Sequence, residues 1–166
     1  MSLRIIATGG TFDKRYDPIA GTLGFGATHL EAIVQRARLA PPVAVEAPMQ
    51  LDSLDMTETD RERILQACRA SAEERIVVVH GTDTMVETAR VLGRANLARC
   101  IVLTGAMVPY TIAESDALFN LGFAVGCART LAHGVWIAMN GQVHPWDRVL
   151  KNRALGVFEP APALRS

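Results

Sequence analysis

The sequence predicts a doubly wound α/β domain, in which a mainly parallel sheet carries helices on both faces and so forms three layers. Four short apolar runs rich in β-branched residues are each followed by a glycine-containing turn, and the first three turns lead into longer segments. Unbroken apolar runs are typical of strands buried on both faces. Strands that alternate with helices imply right-handed crossovers. A length of 166 residues suits one such domain.

The predicted strands follow one another along the chain. The first, Leu3–Ala7, leads into the turn "TGGT", and a weaker run at Pro42–Ala47 fits a second strand. Three more begin the segments Arg75–Asp83, Arg99–Pro109 and Gly134–Gly141. Each lacks the strict alternation that marks a half-exposed strand, so we expect them to lie inside the sheet.

Three segments of helical period lie between these strands. Thr57 precedes "ETDRERILQACRA" and predicts an N-cap, since its hydroxyl can accept a free backbone N–H. In "TMVETARVLGRAN", Met85, Ala89 and Leu92 recur on one helical face. The third segment, "AESDALFNLGFAVGCART", is apolar on more than one side and predicts a well-buried helix.

Two segments depart from this pattern. Phe12–Ala27 is rich in Gly, Pro, Asp and Tyr, and its composition predicts a mobile active-site loop. The C-terminal "FEPAPALRS" contains two prolines spaced as in a linker. We therefore expect one domain over residues 1–157 and a tail over residues 158–166.

Composition excludes several classes of partner and site. Lys plus Arg and Asp plus Glu both total 17, and the basic residues are scattered, which argues against nucleic acid or an anionic membrane as partner. No apolar run approaches the ~20 residues that span a bilayer, nor does the N-terminus resemble a signal peptide. The cytoplasm is the expected location. The three cysteines lie far apart without C-x-x-C spacing, so we expect core residues and no thiolate metal site.

Polar turns follow the predicted strands. In an open parallel sheet, ligands bind at the carboxyl ends of the strands. Four turns have that position and should meet at one edge, together with the loop Leu51–Met56; they are Thr8–Thr11, His80–Thr84, Thr104–Ala106 and Asn140–Gly141.

The chemistry of the first turn is left open by the residues alone. Neither G-x-G-x-x-G nor G-x-x-x-x-G-K-[ST] is present, which disfavours a phosphate cradle. Thr11 can be a nucleophile if a base takes its proton, and Asp83 with Lys151 can supply or relay that function. A tight turn also explains Thr11, and a helix N-cap also explains Asp83. Gly10, which lacks a Cβ, would let the backbone approach a substrate closely.

Five blocks, in order, resemble the signatures of the bacterial-type L-asparaginase/glutaminase family: "ATGGTFDK", "DSLDMT", "VVVHGTDTMVETA", "VLTGAMVP" and "MNGQVHPWDRVLK". The resemblance covers nearly the whole chain. It implies a flavodoxin-like N-terminal domain and hydrolysis of a small carboxamide through an acyl-enzyme, with release of ammonia. It implies no metal or organic cofactor. Family members also carry a C-terminal domain, which we expect to be absent from this chain.

The resemblance implies catalytic roles residue by residue. Thr11 matches the family's nucleophile, and Tyr16 is the tyrosine available to match the one that assists it from the loop. Thr82, Asp83 and Lys151 match the second triad. The backbone N–H groups of both threonines would form the oxyanion hole.

The resemblance also implies substrate contacts. Ser53 matches a residue that contacts the substrate carboxylate, and Asp83 would hold its ammonium group. The carbonyl of Ala106 would receive the leaving amide nitrogen, and Gly10 would lie against the substrate. Leu54 is a departure, because many members carry a polar residue, often glutamine, at this position.

Several functions remain consistent with these residues. The first is an asparaginase-like amidohydrolase that acts on asparagine or a related ω-amide, as a homodimer or homotetramer. The alternative is a non-catalytic domain that has kept the pocket and serves to bind an amino acid or as a regulatory domain. A third is an amidase subunit completed by a separate chain. A nucleotide-binding module is the least supported, because no phosphate motif is present.

Overall fold

The computed structural model describes residues 2–161 and confirms the predicted α/β class. The strands are β1 Leu3–Ala7, β2 Arg15–Asp17, β3 Thr22–Gly24, β4 Val43–Glu46, β5 Arg75–Val79, β6 Cys100–Thr104, β7 Gly134–Met139, β8 Gln142–Pro145, β9 Val149–Asn152 and β10 Val157–Pro160. The helices are α1 Leu30–Ala37, α2 Glu58–Ala70, α3 Met85–Arg94 and α4 Ala117–Thr130. Two 3₁₀ turns cover Thr11–Asp13 and Ser53–Asp55.

A central six-stranded sheet has the order β4-β1-β5-β6-β7-β8. Its pairs are parallel from β4 through β7, and β8 adds antiparallel to β7 at one edge. The chain runs from β1 outward to β4 and then crosses to β5 on the other side of β1. The strand order therefore reverses between β1 and β5, which is where a doubly wound sheet binds its ligands.

Two hydrophobic clusters lie on opposite faces of this sheet. Successive side chains of a strand point to opposite faces, so Ile6 and Val78 join one cluster while Ile5 and Val77 join the other. The first cluster also contains buried residues of α2 and α3, and the second those of α1 and α4. This arrangement is the predicted three-layer sandwich.

The helices follow the sequence pattern closely, with one exception in α4. Thr57 and Asp60 form a reciprocal capping box at the start of α2, and the predicted inner face of α3 is fully buried. The burial predicted for α4 holds only on its inner face. Leu118 and Phe119 are 52% and 63% exposed because the helix packs one side on β5, β6 and β7 and presents the other side of its first turn to solvent.

The segment Phe12–Ala27 is more regular than its composition predicts. It begins with a 3₁₀ turn in which Phe12 and Asp13 are fully buried, and continues as the exposed β2–β3 hairpin. Helix α1, which follows it, is not predicted by the sequence.

The predicted domain boundary at residue 157 falls at the start of β10, Val157–Pro160. β9 and β10 form an antiparallel hairpin in which Phe158 lies opposite Lys151. Phe158 is 3% exposed and packs in the cluster of α2 and α3. Residues 158–160 therefore pack with the preceding strands, because a buried aromatic side chain anchors them, and the N–H of Ala161 donates to the carbonyl of Arg148 at 3.0 Å. Residues 162–166 of the predicted tail lie outside the described residues.

The three cysteines are buried core residues, as expected. Burial raises the pKa of the Cys68 thiol to about 12, which leaves it protonated and unreactive. Within residues 2–161, no helix is both long and apolar enough to cross a membrane. The same residues contain no cluster of three or more His, Cys, Asp or Glu side chains suited to a metal ion.

Candidate active site

The turns after β1 and β5 meet in direct backbone contact at the carboxyl edge of the sheet. Gly10 has φ 74° and ψ −179°, a conformation essentially restricted to glycine. A Cβ at this position would lie 2.4 Å from both the backbone N and the Cα of Gly81. The N–H of Gly10 donates to the carbonyl of Leu51 at 2.8 Å. Three turns that are distant in sequence are thus packed together without intervening side chains.

A lysine joins the second turn to the C-terminal hairpin. Lys151 Nζ donates to Thr82 Oγ1 and to Asp83 Oδ1, both at 2.8 Å. The Lys151 side chain is 8% exposed and that of Asp83 is 36% exposed. Lys151 lies on β9, and the burial of Phe158 on β10 fixes this hairpin against the domain. The structure therefore brings together three residues named from the sequence.

This triad has the geometry of a proton relay. A threonine hydroxyl becomes nucleophilic when a neighbouring group takes its proton. When its amine is neutral, Lys151 is within hydrogen-bonding distance of the Thr82 hydroxyl and can accept that proton. Asp83 Oδ1 also accepts a hydrogen bond from this amine. Thr82 is itself 5% exposed, with Met107 Sδ 3.5 Å from Oγ1.

Thr11 opens the 3₁₀ turn directly after Gly10 and is partly exposed. Phe12 beneath it is fully buried, and its carbonyl accepts from the N–H of Tyr110 at 3.1 Å. Among residues 2–161, no side chain forms a hydrogen bond with Thr11 Oγ1. Tyr16 lies on β2, is 60% exposed and is not brought into hydrogen-bonding contact with Thr11.

The predicted substrate-contacting residues line the same edge. Ser53 is 1% exposed, and its Oγ would lie 2.5 Å from a Cβ added to Gly81. The carbonyl of Ser53 accepts from Thr84 Oγ1 at 2.8 Å, which ties this loop to the start of α3. Ala106 is 1% exposed in the turn after β6. Leu54, by contrast, is 63% exposed.

The base of the exposed hairpin is held by a buried carboxylate that the sequence pattern did not single out. Asp13 accepts hydrogen bonds from Thr28 Oγ1 at 2.7 Å, the His29 N–H at 3.0 Å and Gln50 Nε2 at 3.4 Å. Two residues after Thr11, it anchors both ends of the segment that carries Tyr16. Its position in the "TFD" of the first turn was the available signal, but only the fold shows what it contacts.

Two further charged residues at the site were not predicted either. Lys14 Nζ lies 2.5 Å from Asp52 Oδ2, and hydrogen bonding to Lys14 holds the pKa of Asp52 below its usual value. Arg153, two residues beyond Lys151, lies with Nη1 3.7 Å from Asp83 Oδ1. Its closeness to Lys151 in "LKNR" was the signal in the sequence.

His80 at the end of β5 has a structural position. It is fully buried, and its Nδ1 lies 2.7 Å from the carbonyl of Gly81 while Nε2 lies 2.8 Å from Thr88 Oγ1. Burial lowers the pKa of His80 to about 4, so the ring is neutral at pH 7. With Nδ1–H donating and Nε2 accepting, the ring fixes the Gly81 carbonyl at the turn.

Comparison with known proteins identifies the family and the fold of the chain. A family model described as asparaginase, N-terminal, matches residues 2–158. A curated protein named probable L-asparaginase periplasmic, from Haemophilus influenzae, is 32% identical over 156 residues, which are 86% of this chain and 44% of that protein. A glutamyl-tRNA(Gln) amidotransferase subunit from Thermococcus kodakarensis is 32% identical over 148 residues, 85% of this chain and 34% of that protein.

Solved structures show the same relationship. The thermostable L-asparaginase from Thermococcus kodakarensis superposes with a TM-score of 0.85 and 29% sequence identity, covering 96% of this chain and 51% of that one. The chain thus spans about half the length of that structure and less than half of the curated relatives named above.

Proposed function

The chain belongs to the asparaginase family, whose N-terminal domain it matches over residues 2–158, and on that premise we propose that it hydrolyses a small ω-carboxamide and releases ammonia. The observation that carries the proposal is Lys151 Nζ at 2.8 Å from both Thr82 Oγ1 and Asp83 Oδ1. A helix cap would explain Asp83, and a tight turn would explain Thr11. Neither explains why the buried amine of Lys151 contacts both Thr82 and Asp83. Asparagine or a related ω-amide is the proposed substrate.

The proposed reaction has two steps. Thr11 Oγ1 attacks the amide carbon, an ester bond forms, the C–N bond breaks, and the nitrogen leaves as ammonia with the threonine's proton. Water then adds to the ester carbon, the C–O bond breaks, and a proton returns to Thr11. Lys151 and Thr82 relay protons in these steps, and backbone N–H groups of Thr11 and Thr82 stabilise the oxyanion. Tyr16 on the exposed hairpin would assist Thr11 when the hairpin closes.

The contacts with substrate are proposed in the same way. Ser53 would hold a substrate carboxylate and Ala106 would accept from the leaving nitrogen with its carbonyl. Gly10 leaves room for the substrate against the backbone. No metal or organic cofactor takes part in this scheme, and the partner is the small amide itself.

The test is ammonia release from a panel of ω-amides by wild type, Thr11→Ala and Lys151→Met. Each substitution should lower kcat by about 10³-fold or more, because each removes a group that acts in bond making or proton transfer. Thr130→Ala, at an exposed threonine that ends α4 away from the candidate site, is the matched control and should keep full activity. If no amide is hydrolysed faster by wild type than by Thr11→Ala, the proposal is wrong.

The non-catalytic alternative makes a different prediction in the same experiments. An amino-acid-binding or regulatory domain would bind aspartate or asparagine in calorimetry and would release no ammonia. Because the Lys151 contacts suit proton transfer, we place amide hydrolysis first.

A second candidate function rests on one of the relatives. The amidotransferase protein is named as a subunit, and this chain spans 34% of it. This favours, as the second candidate, an amidase subunit whose pocket is completed by another chain. Activity that appears only after a co-purifying chain is added would support it.

Self-assembly into a homodimer or homotetramer also stays a proposal. Exposed apolar side chains support it; they include Tyr16 and Leu23 on the β2–β3 hairpin and Leu54 and Met107 on two loops. Sedimentation measures the assembly directly. The cytoplasm remains a prediction from the sequence.

A further inference from the structure

Asp83 carries a second cation besides Lys151. The Arg153 guanidinium lies with Nη1 3.7 Å from Asp83 Oδ1, and its Nη2 donates to the main-chain carbonyl of Asp83 at 3.1 Å. The same Oδ1 accepts from Lys151 at 2.8 Å. One carboxylate oxygen is therefore shared by two positively charged groups.

The position of Arg153 is fixed at both of its ends. Its guanidinium contacts a side-chain oxygen and a main-chain oxygen of the same residue, although the side chain is 62% exposed. Its backbone lies in the turn between β9 and β10, where Asn152 Oδ1 accepts from the N–H groups of Ala154 and Leu155 at 3.2 Å. Arginine keeps its charge at every relevant pH, so this is a permanent cation at the edge of the candidate site.

The resulting charge balance disfavours a cationic substrate group. Asp83, Lys151 and Arg153 together carry a net charge of +1 when the lysine is protonated. A substrate ammonium placed on Asp83 would be a third cation on a carboxylate that is already compensated. Like charges brought together are strongly unfavourable, whereas an anionic group would be attracted to the guanidinium.

Three neighbouring side chains are poor or already paired acceptors for an ammonium group. Leu54, directly after Ser53, is apolar. Asp52 is already paired with Lys14 at 2.5 Å, and Asp55, the second carboxylate on this loop, is exposed to solvent. Met107, which contacts Thr82, offers only a weakly accepting sulfur.

We propose that the site selects ω-amides that carry a carboxylate but no free ammonium group, such as the monoamide of a dicarboxylic acid, and that Arg153 sets this preference. The inference deepens the proposed function and rests on it, since it takes the hydrolysis of an amide at this site as given. The reaction is monoamide plus water to dicarboxylate plus ammonia. It uses the same bond changes as the proposed scheme and needs no further reactant.

The test compares succinamate with asparagine, which differ only in the α-ammonium group. We expect wild type to hydrolyse succinamate with a kcat/KM about tenfold or more above that for asparagine. Arg153→Gln should lower the ratio of kcat/KM for succinamate to kcat/KM for asparagine about tenfold. Arg153→Lys should preserve most of that ratio because the positive charge remains. Arg90→Gln, an exposed arginine on α3, is the matched control and should leave the ratio unchanged.

A binding measurement separates the two proposals. Calorimetry should show succinate binding more tightly than aspartate, with the difference lost in Arg153→Gln. If succinate binds more tightly in this way while no amide is hydrolysed, the preference for ligands without an ammonium group stands and the proposed function is wrong. If asparagine is hydrolysed as well as succinamate, or if Arg153→Gln leaves both preferences unchanged, the inference is overturned while amide hydrolysis stands.

Discussion

Replacing Gly10 by alanine should destabilise the protein through two separate effects. The first is backbone strain, since the φ of 74° and ψ of −179° at Gly10 cost a residue with a Cβ about 1–3 kcal/mol. The second is steric: the new Cβ would lie 2.4 Å from the N and Cα of Gly81. Relieving that overlap requires the backbones of the β1 and β5 turns to separate, at about 1–3 kcal/mol. The sum is about 4 kcal/mol.

Gly21 provides the matched control for the strain alone. It also has positive φ, 66°, but a Cβ added there meets nothing within 4 Å. We expect Gly21→Ala to lose about 1–2 kcal/mol from the left-handed backbone. Because about 1 kcal/mol shifts Tm by about 2–4 °C in a domain of this size, Gly10→Ala should melt about 8–16 °C lower and Gly21→Ala about 3–6 °C lower.

The assay is urea unfolding followed by circular dichroism, with thermal melting as a second measure. Ammonia release by any folded Gly10→Ala should also fall, because separation of the two turns moves Thr11 relative to Thr82. If Gly10→Ala loses no more free energy of unfolding than Gly21→Ala, the direct contact between the two turns is not a constraint, and the reasoning fails.

Two other predictions concern pH and the exposed hairpin. Burial lowers the pKa of His80 to about 4 from 6.5. As pH falls, the unfolded chain therefore binds a proton at this histidine before the folded protein does. The free energy of unfolding should drop by about 2 kcal/mol from about pH 7.5 to about pH 5. His80→Gln should flatten this part of the pH profile measured by urea unfolding, and an unchanged slope would contradict the assignment. Asp13→Ala removes the three hydrogen bonds at the hairpin base, so trypsin should cut after Arg15 about tenfold faster. Equal cutting rates in wild type, Asp13→Ala and the exposed control Asp147→Ala would refute that anchor.

The central strands were predictable because burial on both faces leaves a plain signal. β5 and β6 are continuous apolar runs, and the glycine turns after them locate the carboxyl edge. Thr57 and the inner face of α3 were likewise recognisable, since capping and a 3.6-residue period are local properties. Thr82 and Asp83 followed from their position after β5.

The hairpins and α1 carried no comparable signal. β2 and β3 are three residues each and exposed throughout, so they show no alternation of apolar and polar residues. α1 buries only Leu30 and Ile33 and begins after His29 without a side-chain cap. β9 and β10 each bury a single side chain, and their pairing is a tertiary property.

The roles of Arg153 and Asp13 could not be derived from local sequence for a related reason. Arg153 contacts a residue 70 positions earlier in the chain, and Gln50 contacts Asp13 across 37 positions. Charged residues of this kind are usually solvated, and the sequence pattern of a single element does not indicate which ones acquire partners.

The hairpin that carries Lys151 also bears on the order in which the protein is made. Lys151 is 69 residues downstream of Thr82, so the ribosome has completed all seven strands from β1 to β7 before this amine exists. The parallel sheet and its helices can therefore form first, before Lys151 contacts the hydroxyl of Thr82. Contacts over such separations form late because loop closure must precede them. If the proposed mechanism holds, ammonia release would appear only after the β9–β10 hairpin docks, so it would report that this hairpin has formed.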